Sequence, residues 1–301
     1  MVILLDLLGK LHNRNITPAI FPFKLSETRF KPFRCGGIIV LFLFCSTVSR
    51  AGFERTPQPP AVFGDGASSV FSGDVDHVLL NPSAAASSKL FYASFFYSPS
   101  PFDLPQLSNG GLIAAFPVDS YTACIALTRM GFSLYREMTV TAAAARSFGG
   151  IVSAGCSINY DHLTISRYGS AFTVGIDVAA EVLLSDDIRW GFSILNLNRP
   201  TIGGEKDQLP QLFLTGINCE VLSTAGVSFA VIKDARYPVS IRTGVRFEPI
   251  ENIVLRLGVS SDPSRYFAGF GIRYSSVSVD YSVATHTELG LTHTIGISFS
   301  Q

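Results

Sequence analysis

The feature that most limits how this chain can fold is a period-two alternation of side chains, repeated along segments of about ten residues. It is clearest in the last segment. Leu289, Leu291, Ile295, Ile297 and Phe299 fall on one face, and Gly290, Thr292, Thr294, Gly296, Ser298 and Ser300 on the other, with His293 the exception on the oily side. Earlier segments repeat the pattern and add charge to the polar face. Phe172, Val174, Ile176, Val178 and Val182 oppose Thr173, Gly175, Asp177 and Glu181. Trp190, Phe192 and Ile194 oppose Arg189, Gly191 and Ser193. Val239, Ile241, Val245 and Phe247 oppose Ser240, Arg242, Gly244 and Arg246. The segments at 252–261, 265–275 and 276–286 set Arg256, Arg273 and Asp280 on the polar side in the same way. A helix repeats every ~3.6 residues and cannot produce this, whereas successive side chains of a strand point to opposite faces.

Parity alone leaves open which face looks outward. A soluble sandwich would bury the apolar face and wet the other with Lys, Glu and Thr. Here the polar face is mostly Gly, Ala and Ser with scattered Arg and Asp, which suits a crowded barrel interior, because glycine weakens an ordinary exposed strand. Composition agrees: 15% charged residues, 12% aromatics and 26 glycines fit a chain facing something oilier than water. Hydrophobic residues at 47% exclude intrinsic disorder, and 23 basic against 23 acidic residues exclude a basic nucleic-acid binder. The expected fold class is all-β: an antiparallel transmembrane β-barrel of 12–14 strands, apolar outside and polar inside.

Strands are expected near 89–98, 110–118, 121–130, 137–148, 151–160, 170–184, 188–197, 211–222, 226–234, 238–248, 252–261, 265–275, 276–286 and 289–300, about fourteen in all. With both ends periplasmic, the even-numbered connections should be short. They are: Val118-Asp119-Ser120, Gly149-Gly150, Ser185-Asp186-Asp187, Ser223-Thr224-Ala225, 248–251 and Ser275-Ser276. The longest connections, 99–109, 161–169 and 198–211, are odd-numbered and therefore extracellular.

Residues 1–51 read as a secretory signal. Lys24, Arg29, Lys31 and Arg34 precede an apolar run from Cys35 to Val48, and Ser49-Arg50-Ala51 offers small residues for cleavage after Ala51. The run is too short for a spanning helix, which needs about 20 residues. Phe44 before Cys45 disfavours a lipoprotein signal. Removing the seven basic and two acidic residues of 1–51 leaves 16 basic and 21 acidic residues, a net of −5. Residues 52–88 then form an N-terminal plug segment, and 89–301 the barrel. Cys124, Cys156 and Cys219, widely spaced and odd in number, suit neither a disulfide framework nor a zinc site.

Catalysis finds no support: there is no GxSxG elbow, Walker loop or HExxH. The sequence calls for no cofactor and no metal. Asp74, Asp76 and His77 read as a polar turn before a short helix capped by Asn81, with Pro82 at its first position, in preference to a cation site. His286, Glu288 and His293 straddle the last hairpin and read as rim or strand residues in preference to metal ligands. The informative set is the charged lumen face: Asp177, Glu181, Arg189, Glu220, Arg242, Arg246, Arg256, Arg273 and Asp280. Its near-neutral balance favours a paired network across the lumen, since desolvated charges must be paired. An arginine track for a carboxylate-bearing ligand is the alternative. Tyr97, Phe102, Tyr135, Tyr160, Tyr168, Trp190, Tyr237, Tyr266 and Tyr274 lie near strand ends, as girdle aromatics do. Phe91, Phe95, Phe96 and Phe102, with the Pro-rich stretch 98–105, are an alternative greasy entry site.

Two stretches resemble a known family. Gly66-Ala67-Ser68-Ser69 followed by Asp76-His77-Val78-Leu79-Leu80-Asn81-Pro82-Ser83-Ala84-Ala85-Ala86 is similar to its N-terminal "NPA" element. Asp280-Tyr281-Ser282 and the run from Glu288 to Phe299 are similar to its closing strands. The family is the PorV/PorQ group, within the FadL-like class of outer-membrane barrels. Ser83 departs from the usual Ala, and the chain ends Phe299-Ser300-Gln301 in place of a terminal aromatic. The resemblance implies a 14-stranded barrel in the cell outer membrane, in contact with its lipid, with the N-terminal segment inside the lumen. It also implies one of two roles. One is movement of hydrophobic small molecules across the outer membrane. The other is a shuttle or attachment role in type IX secretion, with a secreted protein bound by the extracellular loops.

Overall fold

The computed structural model describes residues 52–55, 58–203 and 207–301; the expected signal over 1–51 lies outside them. The chain forms fourteen strands: β1 (Tyr92–Ser98), β2 (Asn109–Val118), β3 (Tyr121–Gly131), β4 (Tyr135–Phe148), β5 (Val152–Ile165), β6 (Gly169–Ser185), β7 (Ile188–Leu195), β8 (Leu212–Leu222), β9 (Ala225–Asp234), β10 (Val239–Ile250), β11 (Ile253–Ser261), β12 (Ser264–Tyr274), β13 (Val277–His286) and β14 (Gly290–Ser300). Each pairs antiparallel with its neighbours in sequence, and β1 pairs with β14 from Tyr92↔Ser300 to Tyr97↔Ile295, closing the barrel. Closure leaves no unpaired edge. No described helix is long and apolar enough to cross a membrane, which says nothing against a barrel that crosses with strands.

Side-chain direction settles the question that parity left open. Ile125, Ile158, Phe172, Trp190, Ile217, Leu257, Phe270 and Ile297 are exposed on the outer surface. Their alternating neighbours Cys124, Ser157, Asp177, Ser193, Asn218 and Asp280 are buried in the lumen. The apolar side chains therefore do not meet one another in a closed centre, as they would in a soluble sandwich.

Turn lengths divide the barrel into two ends. β2–β3, β6–β7, β8–β9, β10–β11 and β12–β13 are joined by two residues each, and β4–β5 by three, of which Gly149 and Gly150 both have positive φ. The chain enters β1 and leaves β14 at this short-turn end. The longest connections, 99–108 and 196–211, lie at the other end. One expectation needs correcting. The stretch 161–169 is almost entirely strand: β5 continues to Ile165, pairing Asp161↔Thr173 and Ile165↔Gly169, so only 166–168 turn. Asp-His-Leu-Thr looked like a polar loop, but its alternation puts Asp161 and Leu163 inside and His162 outside, stacked beside Tyr160.

Inside the wall, residues 52–55 and 58–88 follow the lumen from the long-loop end to the foot of β1. The path includes a one-turn helix α1 (Pro60–Phe63) and 3-10 turns over Val75–Leu79 and Pro82–Ser87. Asp74 caps the first 3-10 turn by accepting from the Asp76 amide, and Asn81 caps the second by accepting from the Ser83 amide, with Pro82 at its first position. Val62, Val70, Phe71, Val78 and Ala84 are fully buried. Phe71, Val62 and Val70 pack with Leu195, Leu214 and Ala230 of the wall, and Val78 and Leu79 with Phe96, Ile113 and Ala126.

Candidate functional site: the occupied lumen

Several glycines of the polar face lie where the N-terminal segment touches the wall. A Cβ on Gly258 would sit 2.2 Å from the Asp65 carbonyl oxygen, and one on Gly191 would sit 2.1 Å from the Phe71 ring. No side chain fits at either position, so glycine there makes room for another backbone or ring.

Polar contacts trace the segment around the wall. The Phe53 amide donates to Glu137 on β4 at 3.0 Å, and Arg55 pairs with Asp177 on β6 at 3.2 Å. The Gly66 carbonyl accepts from Arg242 on β10 at 2.8 Å, and Ser68 bonds Ser228 on β9 at 2.7 Å. Asn81 donates to Glu181 on β6 and to the Val70 carbonyl, the latter at 3.0 Å. The Ser88 carbonyl accepts from Thr122 on β3 at 3.3 Å.

All nine charged candidates sit on the lumen face, but they do not form one set. Arg189 pairs with Glu181 at 3.4 Å, Arg256 with Asp280 at 2.7 Å, and Arg246 with Glu220 at 2.8 Å and with Glu248. Asp177 pairs with Arg55, a residue the sequence reading did not single out, and accepts from Ser157, Asn159 and the Asn196 amide. Arg242 is held by the Gly66 carbonyl and Ser240. Arg273 makes no ion pair among the described residues; it lines a cavity at the short-turn end. These arginines therefore do not make a continuous free track. Asn81 and Pro82 lie at the centre of the contact with β5 and β6.

Open space remains beside the segment at both ends. The larger cavity, about 260 Å³, opens at the short-turn end and is lined by Arg246, Arg256, Arg273, Glu220, Asp74 and His77, among others. The smaller, about 30 Å³, lies toward the long-loop end between Gln58, Leu79, Glu137, Asp161 and Asn196. Toward the short-turn end, Asp76 is buried on the segment and accepts from the Tyr92 hydroxyl. Desolvation first, and then the neighbouring Asp74 carboxylate, pushes its pKa up to about 7.

Two aromatic readings are corrected here. Phe91, Phe95, Phe96 and Phe102 do not form an entry site. Phe96 is fully buried inside, Phe95 points outward, Phe91 packs at a tilt against Phe116 and Phe299 at the foot of β1, and Phe102 lies in the loop beyond its top. Tyr135 is not a girdle residue, because its hydroxyl bonds Glu137 within the lumen. The Asp74–His77 turn is closed on itself, with His77 held by Ser69 and the Asp74 carbonyl. His286 and His293 lie on opposite faces of the wall; His293 bonds the Tyr281 hydroxyl at 2.6 Å on the outside. Among the described residues no three His, Cys, Asp or Glu side chains are grouped as a metal site. Glu137, Asn159 and Asp161 were missed, though parity on β4 and β5 marks them as inward. Nothing local marks Arg55, whose partner is 122 residues away.

No family model matches the chain, and no curated protein matches it in sequence. The fold is shared with solved channels. The CymD monoaromatic hydrocarbon channel superposes with a TM-score of 0.61 at 13% identity, covering 83% of this chain and 99% of that one. The Ralstonia pickettii toluene transporter TbuX gives 0.61 at 10% identity over 83% and 99%. A Pseudomonas aeruginosa FadL homologue gives 0.54 at 12% identity over 81% and 97%. At such identities the likeness establishes the fold, a closed antiparallel fourteen-strand barrel.

Proposed function

We propose that this chain is an outer-membrane channel for small hydrophobic molecules, in which residues 52–88 form a plug that cargo has to pass. The observation that carries this reading is a bore occupied by an ordered segment, inside a wall whose outer face is apolar. An open aqueous pore would keep its lumen clear. The fold shared with hydrocarbon channels favours apolar cargo over sugars or ions. In this reading the outer side chains contact lipid, the short turns are periplasmic, and 1–51 is the export signal. The paired charges of the lumen hold the plug to the wall, and Arg273 and Arg246 line the periplasmic exit.

The test is uptake of radiolabelled toluene and oleate by cells with and without the gene, with export of surface proteins measured in parallel. Loss of uptake on deletion, restored by the wild-type gene, is the expected result. Unchanged uptake with lost export would overturn it in favour of the secretion role that the PorV/PorQ resemblance implies.

A further inference from the structure

The smaller cavity has an unusual lining. Asp161 Oδ2, Asn196 Oδ1 and Gln58 Oε1 are buried and have no hydrogen-bond partner among the described residues. All three residues line the same cavity of about 30 Å³. All three atoms are oxygens that accept and cannot donate when Asp161 is ionised. The amides cannot be turned round to supply a donor. Asn196 Nδ2 is committed to the Pro210 carbonyl at 2.7 Å, and Gln58 Nε2 to the Arg55 carbonyl at 2.9 Å. Both are carbonyls that only accept. The other Asp161 oxygen is already taken by Thr139 at 2.6 Å.

The surroundings are also negative. Glu137 and Asp161 line the cavity and form no ion pair among the described residues; Arg55 lines it too, but its ion pair is with Asp177, so carboxylate outnumbers free guanidinium here. Buried acceptors left without partners are costly, so such a cluster calls for a bound donor or a cation. A water molecule fits the volume but brings two hydrogens for three oxygens and no positive charge. Oxygen-only ligands with two nearby carboxylates match a hard divalent cation of the calcium class, with waters completing its shell. Gly175 leaves the space open: a Cβ there would lie 2.4 Å from Asn196 Oδ1 and 3.6 Å from Asp161 Oδ2.

We propose that Asp161 on β5, Asn196 after β7 and Gln58 of the N-terminal segment form a Ca²⁺ site that ties this segment to the barrel wall. The inference is independent of what the channel carries. The test uses the purified full-length barrel in detergent, stripped with EDTA and titrated with CaCl2 by calorimetry, with Tm followed in parallel.

One Ca²⁺ per barrel and a rise in Tm that NaCl does not reproduce are expected. Asp161→Asn should weaken binding by about 100-fold or more, since even outer-shell partners are worth 10–100-fold. Gln58→Glu should tighten it by about 10-fold, because ligand charge tunes such sites. The gel shift between boiled and unboiled samples checks that each variant is folded. The proposal is overturned if the wild-type barrel takes up no Ca²⁺, takes up Na⁺ equally well, or keeps its affinity in both variants.

Discussion

Asn81→Ala should release the N-terminal segment from the wall without opening the barrel. Asn81 is fully buried, and its side chain makes four contacts. It donates to the Val70 carbonyl and to Glu181, and accepts from the Ser83 amide at 3.1 Å and the Ser83 hydroxyl at 2.6 Å. Truncation removes a cap worth about 1 kcal/mol. It also leaves the Val70 carbonyl short of a partner and Glu181 with Arg189 at 3.4 Å as its remaining side-chain partner. Each buried group left unsatisfied costs about 1–3 kcal/mol. A total near 4 kcal/mol follows, or about a thousandfold rise in the population with the segment disengaged, at roughly 1.4 kcal/mol per decade. The ladders of β1 to β14 do not involve Asn81, so the barrel stays closed. Hydrogen–deuterium exchange of peptides spanning 76–88 in detergent reads the opening equilibrium directly. Faster exchange there, with unchanged protection of β8–β11, is the expected pattern. Protection of 76–88 within about threefold of wild type would refute the reasoning, since 4 kcal/mol cannot hide in so small a change.

Other perturbations probe different parts of the argument. Ile217→Arg places a charge on the outer face midway along β8 and should cost about 2–4 kcal/mol of folding stability in lipid vesicles, measured by urea titration; a neutral outcome would mean that this face does not meet hydrocarbon. Gly258→Val puts a side chain where the Asp65 backbone lies, so proteolysis within 64–70 should accelerate while the barrel still shows its heat-dependent gel shift; wild-type resistance would contradict the close packing. Hold of the segment should also depend on pH. The Asp76 pKa is raised from its ordinary 3.8 to about 7 when docked, so the docked state binds the extra proton. Docking is then strongest below about pH 4, weakens as pH rises through the docked value near 7, and is level above it. Exchange of 76–88, corrected for intrinsic rates, should be slower at pH 5 than at pH 8, and Asp76→Asn should reduce that difference.

The legible part of this protein is its wall. Thirteen of the fourteen strands fall within three residues of where alternation places them, β5 alone running five residues further, because a strand's facing is a local property of period two. For the same reason the nine lumen charges could be assigned to the inner face. Alternation also held the information for Glu137 and Asp161, but a run of polar residues at 161–164 resembled a loop and concealed the second.

What the one-dimensional pattern could not supply is partnership. Residues 52–88 have no periodicity that predicts their circuit of the lumen, and Arg55 meets Asp177 only because closure brings β6 within reach. The convergence of Gln58, Asp161 and Asn196 is likewise decided by closure and by the segment it encloses. Sequence sets the direction in which each side chain leaves its strand. The tertiary structure decides what it finds there, because burial and charge pairing depend on atoms contributed by distant parts of the chain.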